Sequence, residues 1–379
     1  MKKLLFLLAL TLLFACKNKP SSRGIEPKAT DSTVLYIDLF HDTHTDFGFT
    51  DHPIIAEDVQ KRFLDIAVDM AMETSNSQHP FCWTVEAMEI VVQWWNEASP
   101  ERRNQLKKLI KNKQISINAL PLHFAPLADD EQMKTLISWV DDELWSTFQP
   151  TVAMQNDVNG FPRSAAIKLL DKGIKYFWTG INDLNNGAPF KQPFPFWWKM
   201  PDGRRMLVMC GLPYWEGYGF FAEKDWRSTQ REASNLQFWS PREGDMLQSD
   251  EASVRKAHEI CLKKIKKMKK EGYKFDFITT SITNQWRIDN DGPFSGLSAF
   301  VAKWNELGLQ PQLNLVTIGE AMQKVESRVG KILPEYEGEW TDWWAFGAMA
   351  NPPELSAAKQ SVNYLDAALS PVWGQPTEG

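Results

Sequence analysis

Three of the six histidines in this chain of 379 residues, His41, His44 and His52, fall within twelve positions. The first two lie in His41-Asp42-Thr43-His44-Thr45-Asp46-Phe47-Gly48-Phe49, directly after the apolar run 34–40. Imidazole nitrogens and carboxylate oxygens gathered in one short segment suit Zn²⁺ or a similar divalent ion. In extended backbone alternate side chains share a face, so His44 pairs with Asp46, and His41 with Thr43. A further carboxylate, Asp157, follows the apolar run 151–155 in Gln155-Asn156-Asp157-Val158-Asn159-Gly160. There, capping of the next helix competes with chemistry as its role.

The elements that must hold these residues alternate along the chain. Apolar runs predict strands over 34–40, 114–120, 151–155, 174–178, 275–280 and 312–317. Helical periodicity covers 57–73, 85–97, 100–112, about 129–147, 161–172, 251–271, 295–306, 318–327 and 354–369. Phe196 to Gly211 reads as a hairpin turned at Pro201-Asp202-Gly203, and 214–250 as a long loop. Repeated strand–helix units with short links imply an α/β fold of parallel strands covered by helices, either a barrel or an open sheet. In such folds the chemistry sits at the carboxyl ends of the strands, where His44, Asp46 and Asp157 fall.

The formal net charge of −6 gives no electrostatic basis for nucleic-acid binding, and six lysines between 263 and 270 read as a solvated helix end. Cys82, Cys210 and Cys261 form no metal or redox motif and read as buried small hydrophobes. The start is different in kind. Lys2-Lys3 precede the apolar stretch 4–14, too short to span a bilayer, and Leu13-Phe14-Ala15-Cys16 follows. This resembles a bacterial lipoprotein signal over 1–16, with Cys16 lipidated and 17–31 a polar tether. Acyl chains on Cys16 would hold the protein at the bacterial cell envelope, facing the periplasm or the exterior.

The His44-Thr45-Asp46-Phe47-Gly48 pattern, then Phe81-Cys82-Trp83-Thr84-Val85-Glu86 leading to Trp94-Trp95, then Asp157-Val158-Asn159-Gly160, together resemble the N-terminal domain of glycoside hydrolase family 38. That family comprises zinc-dependent retaining α-mannosidases on a distorted (β/α)7 barrel, here expected over 32–330 with a short helical extension over 331–379. The resemblance implies His44, Asp46 and Asp157 as Zn²⁺ ligands, and Asp157 also as the nucleophile. It implies Phe47 and Phe49 as substrate contacts and a mannose-containing glycan as substrate; Trp83, and His123 after the strand 114–120, are further candidate contacts. A second carboxyl, roughly 5–5.5 Å from the nucleophile in retaining enzymes, would protonate the leaving oxygen and then activate water.

The family's acid follows a late strand. Here that segment is Thr283-Asn284-Gln285-Trp286-Arg287-Ile288-Asp289-Asn290-Asp291-Gly292-Pro293. One registration puts the amides Asn284 and Gln285 at the acid position; another puts Asp289 or Asp291 there, in what also reads as a turn. The family's fourth ligand is a His beyond the barrel, and no His follows His258 in this sequence; His123 is the substitute within reach of the same rim. Two other functions stay open: a carbohydrate-binding lipoprotein with an inactive barrel, and a zinc-dependent polysaccharide deacetylase. The latter lacks the H-x-x-x-H pair such enzymes use.

Overall fold

The computed structural model describes residues 33–123, 128, 130–158, 160–182, 190, 193–222, 247–283, 289–340 and 352–369. The expected signal segment with Cys16, the expected tether 17–31, and Asn284 and Gln285 lie outside the described residues. In chain order the strands are β1 (Tyr36–His41), β2 (Trp83–Val85), β3 (Ile115–Ile117), β4 (Val152–Met154), β5 (Tyr176–Gly180), β6 (Phe194–Lys199), β7 (Arg205–Gly211), β8 (Phe277–Ile282), β9 (Gln312–Val316) and β10 (Glu335–Glu337). The helices are α1 (Pro53–Glu73), α2 (Met88–Glu97), α3 (Pro100–Lys111), α4 (Asp130–Ile137), α5 (Asp142–Phe148), α6 (Arg163–Asp171), α7 (Glu251–Lys270), α8 (Leu297–Glu306), α9 (Ile318–Val329) and α10 (Pro352–Leu369).

The strands form a distorted β/α barrel whose hydrogen-bonded ladder is not closed. Its sheets run β8-β1-β9, β10-β6-β7-β5-β4 and β2-β3. All pairings are parallel except the β6–β7 hairpin. Side chains cross the interruptions. Asn118, just past β3, donates to Met154 O at 2.7 Å and to Glu86 O, and accepts from Met154 N at 2.6 Å. Ile318 N donates to Thr84 Oγ1 on β2 at 3.1 Å, and Ser281 Oγ on β8 donates to Tyr214 O beyond β7 at 3.3 Å. At that last junction the backbones touch: a Cβ on Gly217 would lie 1.6 Å from Ser281 O, so only glycine fits.

The interior is filled, not hollow. Phe40 meets Trp178 edge-on at 4.8 Å, and Met154, Met209, Phe277 and Val316 pack with them. Alternate residues of the same strands face outward onto the helices, as the period of two requires: Ile37 and Leu39 with Val254 and Val301, and Phe177 with Ala165 and Leu169. Cys82, Cys210 and Cys261 are free and buried, as their small apolar character implies. Among the described residues no helix is long and apolar enough to cross a membrane.

Two expectations change. The helix read over 129–147 is two helices, because Asp141 leaves helical geometry and its side chain caps α5 by accepting from Leu144 N at 2.8 Å. The extension beyond 330 also contributes a strand: β10 adds to β6, and Trp340 bridges to Phe161.

Candidate active site

Seven strands deliver polar or aromatic residues to one rim, since parallel strands place their carboxyl ends together. β1 runs into His41–Asp46, β2 into Glu86, β3 toward Asn118 and His123, and β4 into Asn156 and Asp157. β5 leads to Asn182, β7 to Tyr214, and β8 toward Asp289. The β1–β8 pairing explains why residues far apart in sequence meet. Beyond the ladder, with the register shifted by four residues, His44 bridges to Asp289, and Asn290 N donates to His44 O at 2.7 Å. Asn290 then clamps the segment. Its Oδ1 accepts from Asp46 N at 3.1 Å, and its Nδ2 donates to Asp46 O at 2.8 Å.

His44 is buried. Its Nδ1 faces Glu86 Oε2 at 3.1 Å and its Nε2 lies 3.5 Å from Asp46 Oδ1. Burial opposes a charge on this ring, yet the Glu86 and Asp46 carboxylates hold its proton affinity well above the ordinary imidazole range. Glu86 is itself fully buried; burial would raise its pKa, but the charges of His123 and His44 hold it well below the usual carboxylate range. Asp42, equally buried, is pushed well above that range, first by burial and then by the neighbouring Glu86 charge. Two buried carboxyls side by side do not both ionise readily, and here Asp42 keeps the proton.

Asp157 sits at a backbone φ of +64°, a conformation rarely taken by a residue with a Cβ. Its backbone continues β4 by bridging to Ile181, with its N–H donating to Gly180 O at 3.0 Å. Asn182 Nδ2 donates to Asp157 Oδ1 at 2.5 Å. Strain of this kind collects at functional positions, where it aims a side chain that regular strand geometry would turn elsewhere.

Of the two acid candidates, Asp289 reaches the rim beside His44. It is 5% exposed, and burial, with the Asp46 and Asp157 charges, raises its pKa to about 7. Tyr214 donates its hydroxyl to Asp289 Oδ1 at 3.1 Å and lays its ring on His44, centroids 4.4 Å apart. Asp291 is turned differently: its N–H donates to Thr43 Oγ1 at 2.8 Å, and its Oδ1 accepts from Gly292 N at 3.0 Å. It serves its own turn.

Donor atoms suited to a divalent ion converge in two groups, each within 4.8 Å: His44, Asp46 and Asp289, and His44, Glu86 and His123. Among the described residues Asp157 belongs to neither group, although its charge acts on both Tyr214 and Asp289. One imidazole nitrogen with hard carboxylate oxygens fits a borderline cation such as Zn²⁺ chemically. His41 takes no part. Its Nδ1 donates to Ile282 O at 2.7 Å and its Nε2 accepts from Phe294 N at 2.8 Å, so both nitrogens are occupied.

His123 faces the rim with Nδ1 bonded to Asn156 O at 2.8 Å and Nε2 lying 3.3 Å from Glu86 Oε2. Phe47, half-buried, and Phe49, 76% exposed, follow Asp46 by one and three residues. Trp83, expected against substrate, is buried, stacked with Phe81 and edge-on to His41. Sequence reasoning missed Asn156, Asn182 and Tyr214 as site residues. The two asparagines carried a usable signal, being polar residues just past a strand; Tyr214, three residues beyond β7 in an aperiodic stretch, carried none.

The fold has a counterpart among solved structures. An alpha-mannosidase from Enterococcus faecalis V583 superposes with a TM-score of 0.57 at 13% identity, covering 81% of this chain and 31% of that one. A glycosyl hydrolase family 38 protein from Enterococcus faecalis gives 0.47 at 11% identity, covering 81% and 29%. The chain thus spans about a third of the length of these structures, 31% and 29%. No curated protein matches it. The Glycosyl hydrolases family 38 N-terminal domain matches residues 35–339, from the first strand to the bridge at its last sheet edge, and on that match the chain belongs to glycosyl hydrolase family 38.

Proposed function

We propose that this protein is a zinc-dependent retaining α-mannoside hydrolase, anchored by lipid at Cys16 and acting on mannose-containing glycans at the bacterial cell envelope. One observation carries the reading. His44, Asp46 and Asp289 converge at the carboxyl ends of neighbouring strands, with Asp157 held at the same rim in a strained backbone. His44 and Asp46 are the converging residues that would hold Zn²⁺, with Asp157 joining them as the family likeness implies; the ion's chemistry there would be to bind vicinal sugar hydroxyls and fix the ring for attack.

The chain's own groups supply the covalent steps. Asp157, its Oδ1 held by Asn182, adds a carboxylate oxygen to the anomeric carbon as the bond to the leaving oxygen breaks. Asp289, whose proton affinity burial raises, gives its proton to that oxygen. Water then attacks the same carbon, displacing Asp157 and returning a proton to Asp289. Phe47 and Phe49 offer apolar surface to the sugar, and His123 lines the rim beside it.

Metal analysis of the mature protein with a panel of aryl glycosides tests this. Expected are about one zinc per chain and zinc-dependent cleavage of an aryl α-mannoside. Sugar binding without turnover would favour an inactive, carbohydrate-binding barrel instead, and release of acetate from a polysaccharide would favour a deacetylase.

A further inference from the structure

We propose that Glu86 is the positioning residue that joins the two halves of the metal-binding rim and selects Nε2 of His44 as the ligand atom. The inference rests on the zinc reading above and deepens it. His44 and Asp46 come from the end of β1, and Asp157 from the end of β4, and Glu86 ties these ends together. Its Oε2 accepts from His44 Nδ1 at 3.1 Å and from Thr45 N at 2.6 Å, the residue between the two β1 ligands. Its Oε1 accepts from the side-chain amide of Asn156, immediately before Asp157. His123, from beyond β3, turns Nε2 toward Oε2 at 3.3 Å.

The wiring continues past Asn156. That residue's Oδ1 accepts from Gly180 N at 2.8 Å, and its backbone carbonyl accepts from His123 Nδ1 at 2.8 Å. A displacement of Glu86 would therefore move ligands on both sides of the rim together. The choice of a carboxylate has a chemical reason. Both oxygens face donors, so an amide in the same place would set an NH₂ group against another N–H. With Nδ1–H committed to Glu86, His44 presents its Nε2 lone pair on the side of Asp46. A carboxylate holding the far nitrogen of a ligating imidazole fixes its tautomer and raises its basicity, and losing such a partner costs roughly 10–100-fold in metal affinity.

The test compares Co²⁺ and Zn²⁺ binding by the unmutated protein and Glu86→Gln, each checked for folding in its metal-free form. The inference expects about 10–100-fold weaker binding in Glu86→Gln. It also expects an altered visible absorption of the bound Co²⁺, a change in ligand geometry that a merely structural role would not produce. Equal affinity with an unchanged Co²⁺ spectrum overturns the inference and leaves the zinc reading standing. Failure of the unmutated protein to bind either ion overturns both. Should Glu86→Gln not fold, proton NMR of the unmutated Co²⁺-loaded protein decides. A paramagnetically shifted imidazole N–H that exchanges slowly with solvent, assigned to Nδ1 of His44, supports the inference; coordination through Nδ1 refutes it.

Discussion

Acid should weaken this fold through one histidine that does no chemistry. His41 ends β1, donating from Nδ1 to Ile282 O on β8 and accepting at Nε2 from Phe294 N, so a second proton has no place to go without breaking the latter bond. Burial accordingly lowers its pKa from 6.5 to about 4. Unfolded chains take that proton below pH 6.5 and the native state does not until about pH 4, so stability falls as the pH drops through this window. At 1.36 kcal/mol per unit, the loss reaches about 2 kcal/mol by pH 5 and about 3 kcal/mol near pH 4. Asp289 and Asp42, whose proton affinities are raised, shift stability the opposite way over part of this range, so the effect must be read as a difference. His41→Gln isolates it, because glutamine offers one donor and one acceptor and does not titrate. Urea unfolding of both proteins from pH 7.5 to 4.5 should show the gap moving in favour of the variant by about 2.5 kcal/mol on acidification. Parallel curves would refute the neutral clamp.

Three further outcomes follow from the geometry. Asp289→Asn should keep its metal yet lose most turnover, with aryl leaving groups of low pKa least affected because they need no proton from the acid; loss of the metal would make Asp289 a ligand instead. Gly217→Ala should destabilise by about 3 kcal/mol or more in thermal unfolding, because its Cβ would meet backbone at 1.6 Å, whereas Gly219→Ala, with nothing nearer than 3.9 Å, should be nearly neutral. Asp42→Asn should leave metal content and turnover unchanged, since the amide mimics the protonated carboxyl held beside Asn156; a drop in bound zinc would contradict that.

The elements were legible because each obeyed its own local pattern. The apolar run ending at His41 is β1, and the Pro201-Asp202-Gly203 turn joins β6 and β7. Local pattern failed where a cap competed with periodicity, as at Asp141, and where pairing came from tertiary contact alone. Glu335-Tyr336-Glu337 has no apolar signature, yet it becomes a strand because β6 offers it an edge. The site shows the same division. His44, Asp46 and Asp157 could be singled out by type and by position after strands. That Asp289 meets His44 depends on β8 lying beside β1, an order of strands that no local pattern encodes. Glu86 stood within a recognisable motif, but its role needed the positions of donors from three other strand ends.

Asp157 as the attacking carboxylate is the centre of the proposed chemistry. Mass spectrometry of the protein after reaction with a slowly hydrolysed fluorinated mannosyl fluoride tests that most directly. A single sugar on the peptide containing Asp157, absent in Asp157→Asn, is the expected result. A sugar attached to another carboxylate, or turnover surviving in Asp157→Asn, would contradict it.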